Sequence, residues 1–166
     1  MSPPNDVCKT KFTPMKFLTR SWIRGELTDE QFDYAISTYE QHLQMLQLPP
    51  DLVALADLHV HDGLVLSCAS DSAAKSLQLR LRCGDLHIGY FDAVLTFTRV
   101  TITAEDVRLL SAVVQAVPVE ILTQEIDRLN DDHFECRWLL HPAGEAAIQF
   151  SSVTLDRRAV PNRDAP

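Results

Sequence analysis

The residues best suited to chemistry in this chain stand together in Asp57-Leu-His59-Val-His61-Asp62. If that string is extended, His59 and His61 project to the same face, because side chains alternate along a strand. Two imidazoles so placed can reach one metal ion, with Asp62 or Asp57 as an oxygen ligand or as a hydrogen-bonding support behind it. Zinc or another transition metal held there would activate water for hydrolysis. The preferred expectation is plainer: these side chains organise the lead-in to the first strand through hydrogen bonds, and no cofactor is needed. A metal-dependent hydrolase built on His59, His61 and Asp62 is the alternative.

The same string resembles the D-x-H-x-H opening of barrel metal hydrolases such as the amidohydrolase and PHP-type phosphoesterase families. That resemblance implies a long barrel with further histidines and a carboxylate arriving from later strands. Here it ends at Asp62, and His87, His133 and His141 follow in no matching pattern. Asp85-Leu-His87 and Asp131-Asp132-His133 again set carboxylates beside imidazoles, but Asp and Gly gather in hairpin turns for backbone reasons, which accounts for both. There is no Gly-x-Ser-x-Gly elbow, no Gly-x-Gly-x-x-Gly and no P-loop, and five glycines leave little material for a phosphate cradle. Cys8, Cys68, Cys83 and Cys136 form no Cys-x-x-Cys pair, so they are expected to be buried, inert thiols. Trp22, Trp138 and Tyr90-Phe91 are expected in the core. Gln78, Arg80 and Arg82 are expected on the wet face of a sheet, where Arg137 would join them in a basic patch.

The elements that must position these residues are written in the hydrophobic periods. Thr28 with Gln31 three residues on is a capping box, and Asp29 and Glu30 occupy the first turn, where the helix dipole favours them. Phe32, Ala35, Ile36, Tyr39, Leu43 and Leu46 then form one stripe of a 3.6-residue repeat that ends before Pro49 and Pro50. A short second helix from Asp51 delivers the chain to Leu58, after which the period falls to two.

Leu77, Leu79, Leu81 and Cys83 alternate with Gln78, Arg80 and Arg82, and Gly84-Asp85 reads as a turn after which Leu86, Ile88 and Tyr90 resume the alternation. A hairpin over 76–91 follows, with an earlier strand over 64–68. The parity change between Leu95 with Phe97 and Val100 with Ile102 predicts a bulge near Thr98 and Arg99. Phe134, Cys136, Trp138 and Leu140, then Ile148 and Phe150 beyond Pro142, make a second hairpin. Residues 104–117 fit either a helix or a crossing loop, and 119–129 fit either strand or helix.

The fold expected is α+β: N-terminal helices packed on an antiparallel β-sandwich or strongly curved sheet of about six or seven strands. Residues 1–14 are expected to be a disordered extension, 15–155 one domain with a helical part over 15–58 and a sheet part over 59–155, and 156–166 a flexible tail.

Composition narrows the function classes. A chain of 166 residues, 46% hydrophobic and 23% charged, has the make-up of one globular domain. No apolar run approaches the roughly 18 residues of a membrane helix, and residues 1–19 lack the apolar stretch of a secretory signal. A cytoplasmic protein away from membranes is therefore expected. Lys9, Lys11, Lys16, Arg20 and Arg24 outnumber Asp6 and Glu26 over the first 26 residues, a balance of +3, so the remainder carries −11. An acidic body argues against nucleic acid as a partner and leaves another protein as the expected one.

Met15-Lys-Phe-Leu-Thr-Arg-Ser-Trp22, Leu48-Pro49, His61-Asp62-Gly63 and the run from Gly89-Tyr-Phe-Asp92 to Phe97 together resemble an uncharacterised bacterial family. Its members open Met-Lys-x-Leu-Thr-x-x-Trp and carry a Leu-His-Asp-like approach to a strand. Gly63 departs from the small residue, such as alanine, that the resemblance leads one to expect. The resemblance implies a helix-plus-sheet fold and no reaction. By fold analogy the layout is also similar to immunity proteins, which bind and block a toxin. A non-catalytic protein-binding module, immunity-like in that sense, is the leading expectation for function.

Overall fold

The computed structural model of the chain describes residues 13–111, 113–114, 117–142 and 144–165. Cys8, and all of the extension expected over 1–14 except Thr13 and Pro14, lie outside the described residues.

Three helices come first: α1 (Arg20–Ile23), α2 (Asp29–Leu46) and α3 (Pro50–Ala56). The capping box of α2 is present, with Thr28 Oγ1 accepting from the Gln31 amide at 3.3 Å and Gln31 Oε1 accepting from the Thr28 amide at 3.0 Å. Gln47, at φ +48°, ends α2, and Pro50 opens α3 at a position where its missing N–H costs nothing.

The sheet part follows as β1 (Gly63–Asp71), β2 (Ser76–Asp85), β3 (Gly89–Thr98), α4 (Ala104–Ser111), β4 (Val113–Val114), β5 (Val117–Pro118), β6 (Glu120–Asn130), β7 (His133–His141), β8 (Gly144–Phe150) and β9 (Ser152–Val160). The main sheet has seven strands in the order β8-β7-β6-β1-β2-β3-β9, and every pairing is antiparallel. β4 and β5 pair with each other. The α+β architecture read from the sequence is the one observed.

The sheet cannot be flat. β8 and β9 stand at opposite edges, yet only Ser151 separates them in the chain. Strands lie about 4.8 Å apart, so a flat seven-strand sheet would hold its edges nearly 30 Å apart, whereas one residue spans roughly 3.5 Å. The sheet must therefore fold over. It bends where β1 and β6 pair through only Gly63 with Ile121 and Leu64 with Glu120. β1-β2-β3-β9 and β6-β7-β8 then face each other as two layers. Phe97 of β3 lies 4.8 Å from Phe150 of β8 and 6.1 Å from Trp138 of β7, both edge-on, and these rings with Leu77, Leu79, Leu81, Leu95, Ile126 and Ile148 fill the space between the layers.

The helices close what the fold leaves open. α3 inserts Leu52 and Leu55 into the core, and Gln124 on β6 donates to the Leu55 carbonyl at 2.8 Å. α4 covers the other side, its Asp106 accepting from the Ala147 amide of β8 at 3.2 Å. α2 lies outermost and has no fully buried residue, so its stripe packs only half-inward.

Several local expectations change. The first hairpin turns at Asp85–Ile88, where Asp85 Oδ1 accepts from the amides of His87 (2.7 Å) and Ile88 (2.9 Å), so Gly84 belongs to the strand and not to the turn. Phe91, Ala93, Leu95 and Phe97 consequently face the core, while Leu86, Ile88 and Tyr90 do not. The parity change near Thr98 is a strand end, with Arg99 at φ +50° turning the chain, and not a bulge. Residues 104–111 are helix and 120–130 are strand. The tail expected to fray from residue 156 instead continues as β9 to Val160, paired residue by residue with β3. Beyond it Arg82 donates to the carbonyls of Arg163 (3.1 Å) and Ala165, which straps the C-terminal residues across β2.

Gly63 has a steric reason. Its amide donates to the Val60 carbonyl at 2.8 Å, and a Cβ there would sit 2.7 Å from that same oxygen.

Candidate functional site

His59 and His61 do not lie on a strand: both precede β1, His59 in an irregular stretch and His61 in a turn with Asp62. The alternation that would bring two imidazoles to one face is therefore absent. His61 Nδ1 lies 2.6 Å from the carbonyl oxygen of Leu122. Leu122 is the residue that the register shift between Ile121 and Thr123 leaves without a cross-strand partner. A carbonyl only accepts, so Nδ1 carries the proton and His61 satisfies the bulge on β6. Nε2 faces Asp62 Oδ2 at 3.5 Å. Among the described residues no three His, Cys, Asp or Glu side chains converge as a metal site.

The densest set of ionisable groups lies on the outer face of β6-β7-β8. Cross-strand register sets Glu125 opposite Arg137, Asp127 opposite Glu135, and Glu135 opposite Gln149. Arg137 is 2% exposed, and Glu125 and Glu135 are fully buried. The guanidinium bonds to Glu125 (3.1 Å), Glu135 (2.9 Å) and, more loosely, Asp127 (3.4 Å). The sequence reading put Arg137 in a basic patch with Gln78, Arg80 and Arg82; it lies instead on the other layer, among carboxylates.

What buries this cluster is the chain's own start. Glu125 accepts from the amides of Lys16 (2.9 Å), Phe17 (2.7 Å) and Leu18 (2.7 Å), and Lys16 Nζ pairs with Asp127. Met15, Leu18 and Leu139 pack as a small apolar cluster over the same face. From α2, His42 Nε2 stands 3.2 Å from Asp127 without the alignment of a hydrogen bond, and the Tyr39 hydroxyl accepts from the Ile126 amide at 2.9 Å. Burial raises the Tyr39 hydroxyl above its ordinary value, and that outweighs its hydrogen bond to Ile126. The carboxylates are thus occupied in fastening residues 15–18 and α2 to the sheet. A pocket of about 180 Å³ borders the cluster on one side, between Arg137, Asp106 and Glu145.

Asp127 feels two opposed effects. Burial raises its carboxyl, but Lys16, then Arg137 and His42, more than offset this and hold it below the ordinary 3.8. On the other layer Asp92 is also held below 3.8, first by its hydrogen bond from Arg82 (2.7 Å) and then by Arg80 (2.7 Å), against a burial that raises it. A carboxyl depressed on folding contributes stability that is complete above its unfolded pKa and is lost as pH falls through the folded one. The melting temperature is therefore expected to drop steeply below about pH 4, and Asp92→Asn with Asp127→Asn to flatten that drop. Calorimetric melts between neutral and strongly acidic pH check this; an equal slope in the double variant would disprove it.

Among the described cysteines, Cys68, Cys83 and Cys136 are free. Burial pushes the Cys83 thiol up to about 12 and raises Cys136 and Cys68 as well, so none has the character of a nucleophile.

An open apolar surface lies at the end of the β2-β3 hairpin. Leu86 is 88% exposed and Ile88 51% exposed. Beside them a groove of about 540 Å³ runs past Tyr90, Phe91, Arg157 and Ala159. Arg157 lies across the Phe91 ring, 3.8 Å from its centre, and roofs the end of the core. The same groove borders β9, whose start is met by α3: Asp51 accepts from the Val153 amide at 3.4 Å. That bond shows that Val153 points its backbone away from β3, so by alternation Leu155, Arg157 and Ala159 do so too. From Leu155 to Val160 these outward groups have no hydrogen-bond partner among the described residues.

No family matches the chain, and neither a curated protein nor a solved structure matches it. No helix among the described residues is long and apolar enough to cross a membrane.

Proposed function

We propose that this chain is a non-catalytic protein-binding module whose docking surface is the β2-β3 hairpin tip with the adjoining free edge of β9. The observation that carries the reading is the pairing of Leu86 and Ile88, exposed at a turn where polar residues would serve, with a strand edge from Leu155 to Val160 that has no outward partner among the described residues. Apolar side chains next to unpaired backbone are what strand-addition recognition uses: the ladder supplies affinity and the neighbouring pockets supply selectivity. The ionisable clusters support the same reading, because Glu125, Glu135 and Arg137 are spent on holding the fold together and Asp92 on pairing Arg80 and Arg82. An immunity-like role, with a toxin as the bound protein, is one form of this proposal. Free thiols at Cys68, Cys83 and Cys136 fit action in the cytoplasm.

The test is photo-crosslinking in living cells from a reactive residue placed at Ile88, with Tyr34 on α2, 71% exposed, as the control position. Discrete protein adducts from position 88 and none from position 34 are expected. A chain that gives no adduct from position 88 is not a docking module at this surface.

A further inference from the structure

We infer that the occupant of this surface is a second copy of the same chain, joined through an antiparallel β9-to-β9 pairing about a two-fold axis at Arg157. The inference rests on the docking reading above and names its partner.

The charges along the edge are self-complementary. Asp156, Arg157 and Arg158 are all exposed, and none makes an ion pair among the described residues. Arg158 stands opposite Asp92 in the register with β3, but that carboxylate is already taken by Arg82 and Arg80, which leaves the Arg158 guanidinium without a partner. In an antiparallel pair only residues that both point outward can exchange hydrogen bonds. Leu155, Arg157 and Ala159 point outward, so the permitted two-fold registers centre on residues and not between them. Centred on Asp156 or on Arg158, a like charge meets itself with no opposite pair beside it. Centred on Arg157, Asp156 of each copy faces Arg158 of the other on the outer face, twice over by symmetry, and Leu155 faces Ala159. The two Arg157 side chains meet at the axis on the inner face, where each is drawn back over Phe91 of its own copy. Like charge at the axis is thereby held apart.

Apolar area agrees with this register. An antiparallel partner brings the start of its own β9, with α3 packed against it, alongside the hairpin tip. Leu86 and Ile88 then approach α3 of the second copy, where Val53 is 43% exposed. The edge itself carries both signs, Asp156 beside Arg157 and Arg158, which suits pairing with a copy of itself. An interface in which one patch meets itself closes after two copies and leaves neither β9 edge free.

Sedimentation equilibrium of the full chain tests the inference from micromolar to millimolar concentration. Wild type is expected to dimerise. Asp156→Arg sets arginine against Arg158 of the other copy, and Arg158→Asp sets aspartate against Asp156; each is expected to weaken self-association about tenfold or more. Mixing the two variants, or combining them in one chain, restores opposite charges and is expected to restore dimers. All these positions are exposed, so the fold survives the changes. Dimers that ignore both single variants, or variants that the mixture does not rescue, overturn the register and with it the inference. The crosslinked product from position 88 should have twice the mass of the chain. Adducts with a foreign protein on a monomeric chain would overturn the second-copy inference and leave the docking reading standing, whereas the absence of any adduct would remove both.

Discussion

Replacing Arg137 by methionine is expected to cost about 3–5 kcal/mol of folding free energy, the range for a buried ion pair broken from one side. Methionine matches much of the arginine's volume, so packing changes little. What changes is that Glu125 and Glu135, both fully buried, lose the cation between them, while Asp127 keeps Lys16. An uncompensated carboxylate in such a place must protonate, admit water or move, and each course costs stability. Glu125 also receives the amides of Lys16, Phe17 and Leu18, so its displacement loosens the first described residues and the cover they form over β6-β7-β8. Of a total of about 5–15 kcal/mol for a typical domain, a loss of this size is a large part. Urea titration gives the number, and Arg137→Lys should recover part of it, since one ammonium supplies charge without the two-pronged geometry. A loss below about 1 kcal/mol would mean that the carboxylates are hydrated and the cluster open, as at a surface pair.

Gly84→Ala is the second large effect. Gly84 has φ +98°, and a Cβ built there would lie 2.0 Å from the Gly89 carbonyl oxygen and 3.1 Å from Tyr90 Cα, both backbone atoms of the facing strand. The backbone conformation alone costs an L-residue roughly 1–2 kcal/mol. The clash adds to it, because no side chain can move aside and the hairpin must part at its last rungs. A total loss of about 3 kcal/mol or more is expected, among the larger effects of single changes. Gly25→Ala is the control: φ is +66° there too, but nothing lies within 4 Å, so only the conformational cost of about 1–2 kcal/mol applies. Equal losses in the two variants, measured by urea titration, would show that the close approach of Gly84 to Gly89 does not constrain the hairpin. The two changes also differ in reach. Parting the β2-β3 hairpin displaces Leu86 and Ile88 and should abolish crosslinking from position 88, while Gly25→Ala should leave it intact.

Much of this protein is legible in its sequence because local physics decides it. The capping box at Thr28 and Gln31, the stop at Pro49 and Pro50, the alternation of Leu77, Leu79, Leu81 and Cys83, and that of Phe134, Cys136, Trp138 and Leu140 each depend on neighbours a few residues away, and each gives the element observed. The stretch after Gly84 misled for a local reason as well: Leu86, Ile88 and Tyr90 share a parity, but Asp85 accepting two amides draws the first two into the turn.

The rest was decided by tertiary structure. Glu135 and Arg137 alternate with buried residues exactly as solvent-facing side chains do, and nothing local says that residues 15–18, more than a hundred positions away, return to cover them. Leu139, apolar on the same face, is the one sign of that cover in the sequence. His59 and His61 look like ligands only while the segment is taken as a strand; the bulge that claims His61 is on β6, and its open carbonyl exists only once β6 has paired with β7. The free edge of β9 was hidden because residues 156–160 carry charges like those of a solvated tail, and only pairing with β3 turns them into a strand. The sequence by itself determined the helix after Thr28, its stop at Pro49 and Pro50, and the strands of the two hairpins with the way most of their residues face. Which faces would be covered, and that β9 would be an edge, depended on contacts between distant segments, whose energies no local pattern records.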